Sequence, residues 1–344
     1  MATIAIVSFR LGGDDGVSIE AAKWIGALAQ LGHSIRTIAG AGPVDVLLPG
    51  LAIDAATPPT RHDLSMALEG VDLVIVENLL SLPLNVAARD VLAAALRGRP
   101  ALLHHHDLPW QRAHLAHLDG PFDDEAWTHV TINDRSRREL AERGIVAEVL
   151  RNTFDCDPPP GRREQTRAIL DVGERPLALC PVRAIARKNL PGALHLAEQL
   201  GVALWLLGGA EDGYEEELSM LAQRATVPLL QGKPDEVTIH DAYAACDLVI
   251  MASTWEGFGN PVIESVTHRR PLALYRYPVA LELLAFGFSF SSLDDVDELR
   301  RELIVPDEVR REANLAVARA HFSLAELPWA LERLLQCHFG QLDL

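Results

Sequence analysis

The sequence predicts an α/β protein built from two doubly wound, Rossmann-like domains. Short apolar runs of strand length alternate along the chain with segments of helical periodicity, the pattern that gives parallel sheets covered by helices. The length, 344 residues, exceeds one ordinary domain and suits two of roughly 150 residues each. Near the middle, Pro158, Pro159 and Pro160 form a stiff, extended run that can continue neither a helix nor a central strand. The inter-domain linker is therefore expected within residues 155–161. This gives an N-terminal domain 1–155, a C-terminal domain 156–323 and a closing helical segment 324–344.

Composition narrows the class. With 49% hydrophobic residues the chain can build substantial cores, and a formal net charge of -17 argues against a nucleic-acid footprint or broad attachment to anionic lipid. Four cysteines, Cys156, Cys180, Cys246 and Cys337, stand far apart in no metal or redox spacing, which suits a reducing, cytoplasmic setting. The first residues carry no basic leader, and no apolar run has the length of a membrane span.

Residues 4–9 read as the first strand. Gly12 and Gly13 follow, and then an apolar-periodic segment through Ala22, Ile25, Leu28, Ala29 and Leu31 ends at Gly32, so the chain opens as strand, loop and helix. A glycine pair by itself serves as a tight turn as readily as a ligand loop. Asp14 and Asp15 come next; two carboxylates repel a diphosphate, so they are expected to point outward or to meet acceptor hydroxyls or an acceptor cation.

Two further strand candidates, 71–76 and 101–103, end in Glu77-Asn78 and in His104-His105-His106-Asp107. Polar residues at strand ends lie where open α/β sheets place ligand groups. Consecutive histidines alternate sides in a strand, and no cysteine or acidic partner completes a recognisable set with them or with His114 and His117, so no metal site is expected. Residues 128–133 read as another strand and 133–143 as a helix ending at Gly144; 146–150 then leads into Arg151-Asn152-Thr153-Phe154.

In the second half, residues 177–182 read as a strand followed by Arg183, Arg187-Lys188-Asn189 and a helix starting near Pro191. Basic loop residues are ordinarily solvated charges, but a guanidinium and an ammonium at a helix N-terminus can neutralise a diphosphate. Residues 202–207 form the next strand, ending at Gly208-Gly209, before an acidic helix at 215–224 and a short run at 228–230.

A helix at 237–246 delivers the chain to a buried strand, 248–251, and to the stretch Ala-Ser-Thr-Trp-Glu-Gly-Phe-Gly-Asn-Pro-Val-Ile-Glu at 252–264. Here Asn260 is expected as helix cap and Pro261 as the first helical residue. Free backbone N–H groups at such a terminus attract phosphate, and Gly257 and Gly259 permit close approach. Glu256 and Glu264 would then accept hydrogen bonds from sugar hydroxyls; taken singly, each is equally a solvated loop residue or a helix-dipole partner. Residues 271–274 form one more strand, and the apolar stripe in 324–335 is core packing.

Glu256 and Glu264, with seven residues between them around Gly257-Phe258-Gly259, together with Arg183 and Lys188 five apart, resemble the donor signature of the retaining GT-B-fold glycosyltransferases of family four, glycosyl transferases group 1. His106-Asp107 is similar to that family's His-Asp pair, and Asn189 stands where a glycine often follows the lysine. The resemblance extends from Gly12-Gly13 to Phe322-Ser323, and Glu282 and Gly287 fall where the family has a further Glu and Gly on the sugar side.

It implies a GT-B fold, two Rossmann-like domains facing a central cleft, with the acceptor on the first and the nucleotide sugar on the second. It further implies catalytic roles for His106 and Glu256. Gly12, Gly13, Arg183, Lys188, Gly257, Phe258, Gly259 and Glu264 would bind substrate, with no metal and no cofactor beyond the nucleoside-diphosphate-sugar donor. The expected activity is transfer of a hexose, with retention, to a hydroxyl of a soluble saccharide, polyol or small metabolite. Two alternatives share these residues: a sugar-nucleotide 2-epimerase and a non-catalytic sugar- or nucleotide-binding module.

Overall fold

The computed structural model describes residues 1–13 and 15–340, so Asp14 and residues 341–344 lie outside the described residues. The chain divides into two compact units, Met1–Thr153 joined by Leu324–Leu344, and Phe154–Ser323.

In the first unit, β1 (Thr3–Arg10), α1 (Gly16–Gln30), β2 (Ser34–Ala41), β3 (Val46–Leu47), α2 (Arg61–Ala67) and β4 (Leu73–Glu77) follow in order. They are succeeded by α3 (Val86–Leu96), β5 (Ala101–His105), β6 (Trp127–Thr131), α4 (Asp134–Ala141) and β7 (Ala147–Val149). The strands form one parallel sheet in the order β3-β2-β1-β4-β5-β6-β7. Its central strands are buried on both faces, which is why they read as continuous apolar runs.

The second unit contains α5 (Arg163–Ile169), β8 (Leu177–Cys180), α6 (Leu190–Leu200), β9 (Ala203–Leu206), α7 (Glu215–Arg224), β10 (Leu229–Gln231) and α8 (Ile239–Ala245). After these come β11 (Leu248–Met251), α9 (Asn260–Thr267), β12 (Leu272–Leu274), α10 (Pro278–Leu284), β13 (Ser291–Ser292), α11 (Val296–Ile304) and α12 (Glu308–His321). Its parallel sheet runs β10-β9-β8-β11-β12-β13. Both sheets therefore reverse winding direction beside their first strand, between β1 and β4 and between β8 and β11. Ligands of open α/β sheets bind at the carboxyl ends of the strands flanking such a reversal.

The last helix, α13 (Leu327–Phe339), belongs to the first unit. It buries Leu327, Leu331, Leu335 and Phe339 in the same core as Ile4, Trp24 and Leu28, so its apolar stripe is core packing. All four cysteines are free thiols, with Cys337 alone exposed. Among the described residues no helix is long and apolar enough to cross a membrane.

Candidate functional site

The loops that leave β8 and β11 hold the charged core of the second unit. Lys188 closes a short helical turn after β8, and its Nζ lies 2.5 Å from Glu256 Oε1. Arg187 Nη1 reaches the other carboxylate oxygen at 2.9 Å and the carbonyl of Trp255 at 3.0 Å. Glu256 is only 6% exposed and Lys188 8%, so the charges interact in a poorly screened setting. Burial works against ionisation of Glu256, but the two cations override it and hold its pKa below the usual carboxylate range. Lys188 is pulled in the opposite sense: burial, with the charges of Arg187 and Arg183, lowers its pKa against the raising effect of Glu256.

Local sequence explains this geometry. Asn189 adopts the left-handed conformation at φ +50° and caps α6 through its side chain, so the chain turns sharply just after Lys188. Its Nδ2 also donates to the carbonyl of Ala252 at 3.4 Å, joining the two loops. The asparagine where the family often has glycine thus meets the same backbone demand.

The N-terminus of α9 differs from expectation by one residue. Gly259, at φ +96°, is the cap; Asn260 is already helical and Pro261 lies in the first turn. A Cβ at Gly259 would sit 2.0 Å from Tyr277 Oη, which donates to the carbonyl of Phe258 at 2.9 Å. Two independent constraints therefore require glycine there.

The Phe258 ring is buried among Phe154 and Phe322, with centroids at 6.0 and 6.1 Å, so only its backbone is available to a ligand. Glu264, half-buried on α9, accepts from Tyr243 Oη at 2.8 Å. Burial and the Glu264 charge push the Tyr243 phenol well above its ordinary pKa, which keeps it a donor.

Arg183 is placed otherwise. Its Nη1 pairs with Glu211 at 2.5 Å, and 41% of its side chain is exposed, while Arg187, which the sequence reading passed over, occupies the position beside Glu256. Adjacency to Lys188 is the one signal that marks Arg187 in the sequence.

In the first unit, parallel pairing sets Glu77 of β4 opposite His104 of β5. The Glu77 Oε2 atom accepts from His104 Nδ1 at 2.9 Å and from His106 Nε2 at 2.7 Å, all three residues being buried. Glu77 is thus the acidic partner that the sequence reading did not find beside the histidines. His105 points the other way, towards Ser81 at 2.5 Å and His129 at 2.8 Å, as strand alternation requires.

The ligand atoms of Glu77, His104 and His106 lie within 4.8 Å of one another, the one group of three among the described residues able to gather round a metal ion. Their shortest separations, 2.7 and 2.9 Å, are those of hydrogen bonds between the imidazoles and the carboxylate. Burial disfavours charge on His106, yet its bond to Glu77 raises its pKa, whereas burial leaves His104 with a lowered one. Glu77 is also opposed by burial, but the two imidazoles bring it to about 2. Glu77 and His106 thus form a buried hydrogen-bonded pair, and His104 stacks on Trp24 at 4.1 Å.

Asn78, at φ +61°, accepts from the backbone N–H groups of His106 and Asp107, each at 3.1 Å, and so fixes the turn that carries the histidine. Gly12 is also constrained, at φ +76° with Pro43 Cγ only 2.6 Å from where a Cβ would stand; a Cβ at Gly13 would meet nothing nearer than Asp15 Oδ2 at 3.4 Å. Asp15 caps α1 and binds Arg10 at 2.9 Å.

Two Rossmann-like units, each with its polar residues at the carboxyl ends of the strands beside the winding reversal, define a GT-B-fold protein. The fold is shared with HepE from Anabaena, solved with UDP and glucose, at a TM-score of 0.75 and 18% identity, covering 98% of this chain and 100% of that one. Residues 162–300 match the profile of glycosyl transferases group 1, which supports a glycosyltransferase. Among curated proteins it is similar to mannosylglucosylglycerate synthase from Thermotoga maritima, at 26% identity over 96% of this chain and 99% of the relative. It is also similar to the synthase of that name from Petrotoga mobilis, at 24% identity over 87% and 88%.

Proposed function

We propose that this glycosyltransferase moves a hexose, with retention of anomeric configuration, from a nucleoside-diphosphate sugar to a hydroxyl of a small soluble saccharide of the glycosylglycerate kind. The observation that carries the reading is the buried Lys188–Glu256–Arg187 cluster at the winding reversal of the second unit, beside the glycine-capped N-terminus of α9. Two cations against one carboxylate leave a net positive charge, and the positive end of the α9 dipole adds to it. A diphosphate is the ligand such a site favours, and carboxylates beside it suit sugar hydroxyls. The curated relatives, matched over nearly their whole length, support a small glycoside acceptor.

In this reading Lys188, Arg187 and the Gly257–Gly259 backbone stabilise the departing diphosphate, preorganised before reaction. Glu256 orients the transferred sugar, and Glu264, aimed by Tyr243, accepts from the ribose. Arg183 adds a partly exposed cation, and His106 offers a hydrogen bond to the sugar. The anomeric C–O bond to phosphate breaks as the acceptor oxygen bonds to the same face, and the acceptor proton passes to the leaving phosphate. No metal is needed, because protein cations meet the charge.

A panel of UDP-, GDP- and ADP-sugars, each with glucosylglycerate, other small saccharides and polyols, tests this by product analysis with and without EDTA. A new glycoside with the donor's anomeric configuration, formed equally in EDTA, is expected. An isomerised sugar nucleotide would point instead to epimerisation, and binding without turnover to a non-catalytic module.

A further inference from the structure

Beyond the C-terminal end of α9 the chain turns at Arg269, φ +56°, and enters β12 through Arg270 and Pro271. A cavity of about 20 Å³ opens there, lined by the side chains of Arg269, Arg270, Arg310 and Arg311 and by one carboxylate, Glu302. Three of these arginines are paired. Arg269 meets Glu312 at 3.2 Å, Arg310 binds Glu298 and Glu302, and Arg311 meets Glu308 at 2.9 Å and Glu302 at 3.5 Å.

Arg270 has no side-chain hydrogen bond and no ion pair among the described residues, and its Nε is buried without a partner. The Nε of Arg311 is likewise buried and unpartnered. Glu302 is committed to Arg310, Arg311 and the N–H of Asp307 at 3.2 Å. Asp247, the carboxylate whose charge acts on Arg270, is bound to Arg163 at 2.5 Å, to Arg167 at 3.3 Å and to the N–H of Leu177 at 2.9 Å. Burial, together with the charges of Arg163 and Arg311, lowers the Arg270 pKa.

A half-buried guanidinium with no hydrogen bond and no ion pair is costly, and buried polar groups left unsatisfied in a protein usually mark a water or an ion. The cavity accommodates one species of about that size. Water would satisfy the donors and leave the charge; an anion satisfies both.

We propose that this cavity binds a single inorganic anion of chloride size, held by the Nε–H groups of Arg270 and Arg311, and that the anion ties the C-terminal end of α9 to α12. Asn314 fixes the wall by exchanging two 2.9 Å hydrogen bonds with the backbone of Ser289.

The test replaces sodium gluconate by sodium chloride or bromide at constant ionic strength and follows thermal unfolding of the full chain. A saturable rise in Tm of about 2–4 °C is expected with either halide, and a smaller one with sulfate or phosphate. Arg270→Met should lose the halide response while its Tm in gluconate equals or exceeds the wild-type value, because an uncompensated charge is gone. Crystals soaked in bromide should show an anomalous peak between Arg270 and Arg311, a readout that does not depend on the variant folding. Identical wild-type Tm values in gluconate, chloride and bromide, a halide response kept by Arg270→Met, or a site holding only water would each overturn the proposal.

Discussion

Lys188 and Glu256 sit on opposite sides of one charge balance, so substitutions at the two positions should separate. Lys188→Ala removes a charge-assisted contact worth about 1.5–3 kcal/mol and should weaken nucleoside-diphosphate binding roughly 10- to 150-fold, as read by calorimetry. Glu256→Gln frees Lys188 and Arg187 from their carboxylate. Turnover should therefore fall while affinity for the nucleoside diphosphate alone holds or rises. Equal loss of affinity in both variants would argue against this division of labour.

The Glu77–His106 pair makes a second prediction. A histidine whose folded pKa is raised stabilises the fold fully below its unfolded value, 6.5, and loses that contribution as pH rises through the folded value. Glu77, lowered from 4.5 to about 2, contributes fully above 4.5 and loses its share as pH falls towards 2. The Tm difference between wild type and Glu77→Gln should accordingly peak between pH 4.5 and 6.5 and shrink under alkaline conditions. A difference independent of pH would show that the pair carries no net charge.

At the scale of elements, Gly259 and Gly13 belong to similar glycine-containing loops yet differ in constraint. Alanine at Gly259 meets Tyr277 Oη at 2.0 Å in a left-handed backbone and should cost at least about 1–3 kcal/mol, together with the geometry of the α9 terminus. Gly13→Ala faces no contact nearer than 3.4 Å and should leave Tm within about a degree of wild type. Thermal unfolding of both variants checks the contrast.

Apolar central strands and their following polar residues were legible because period and length identify them. The second strand, Ser-Ile-Arg-Thr-Ile-Ala-Gly-Ala, was not, since its identity comes from register with β1 rather than from an apolar run. The helix at 163–169 likewise escaped notice, because tertiary hydrogen bonds hold it: Arg162 and Arg163 bind Asp241 and Asp247.

For the whole molecule, the chain returns to its first unit after leaving it. Leu331 is fully buried in that core, so Leu331→Ala should destabilise it by about 2–5 kcal/mol. Hydrogen exchange should report the loss in β1, α1 and β4 and spare β8 and β11; uniform loss across both sheets would contradict this assignment of α13.

The sequence by itself determined two alternating α/β halves, a donor-type motif spanning 256–264, and the polar residues that end β4, β5, β8 and β11. These follow from local periodicity, glycine and proline placement, and spacing along the chain. Only the tertiary structure decided the partners. Glu77 meets His106 because parallel strands set them side by side, Arg187 rather than Arg183 meets Glu256 because Asn189 turns the loop, and Tyr243 reaches Glu264 from another helix. Arg270 is left without an ion pair among the described residues, and Asp247 and Glu302 are engaged by other arginines. Such pairings depend on strand register and side-chain direction over separations of tens of residues, which linear spacing does not encode.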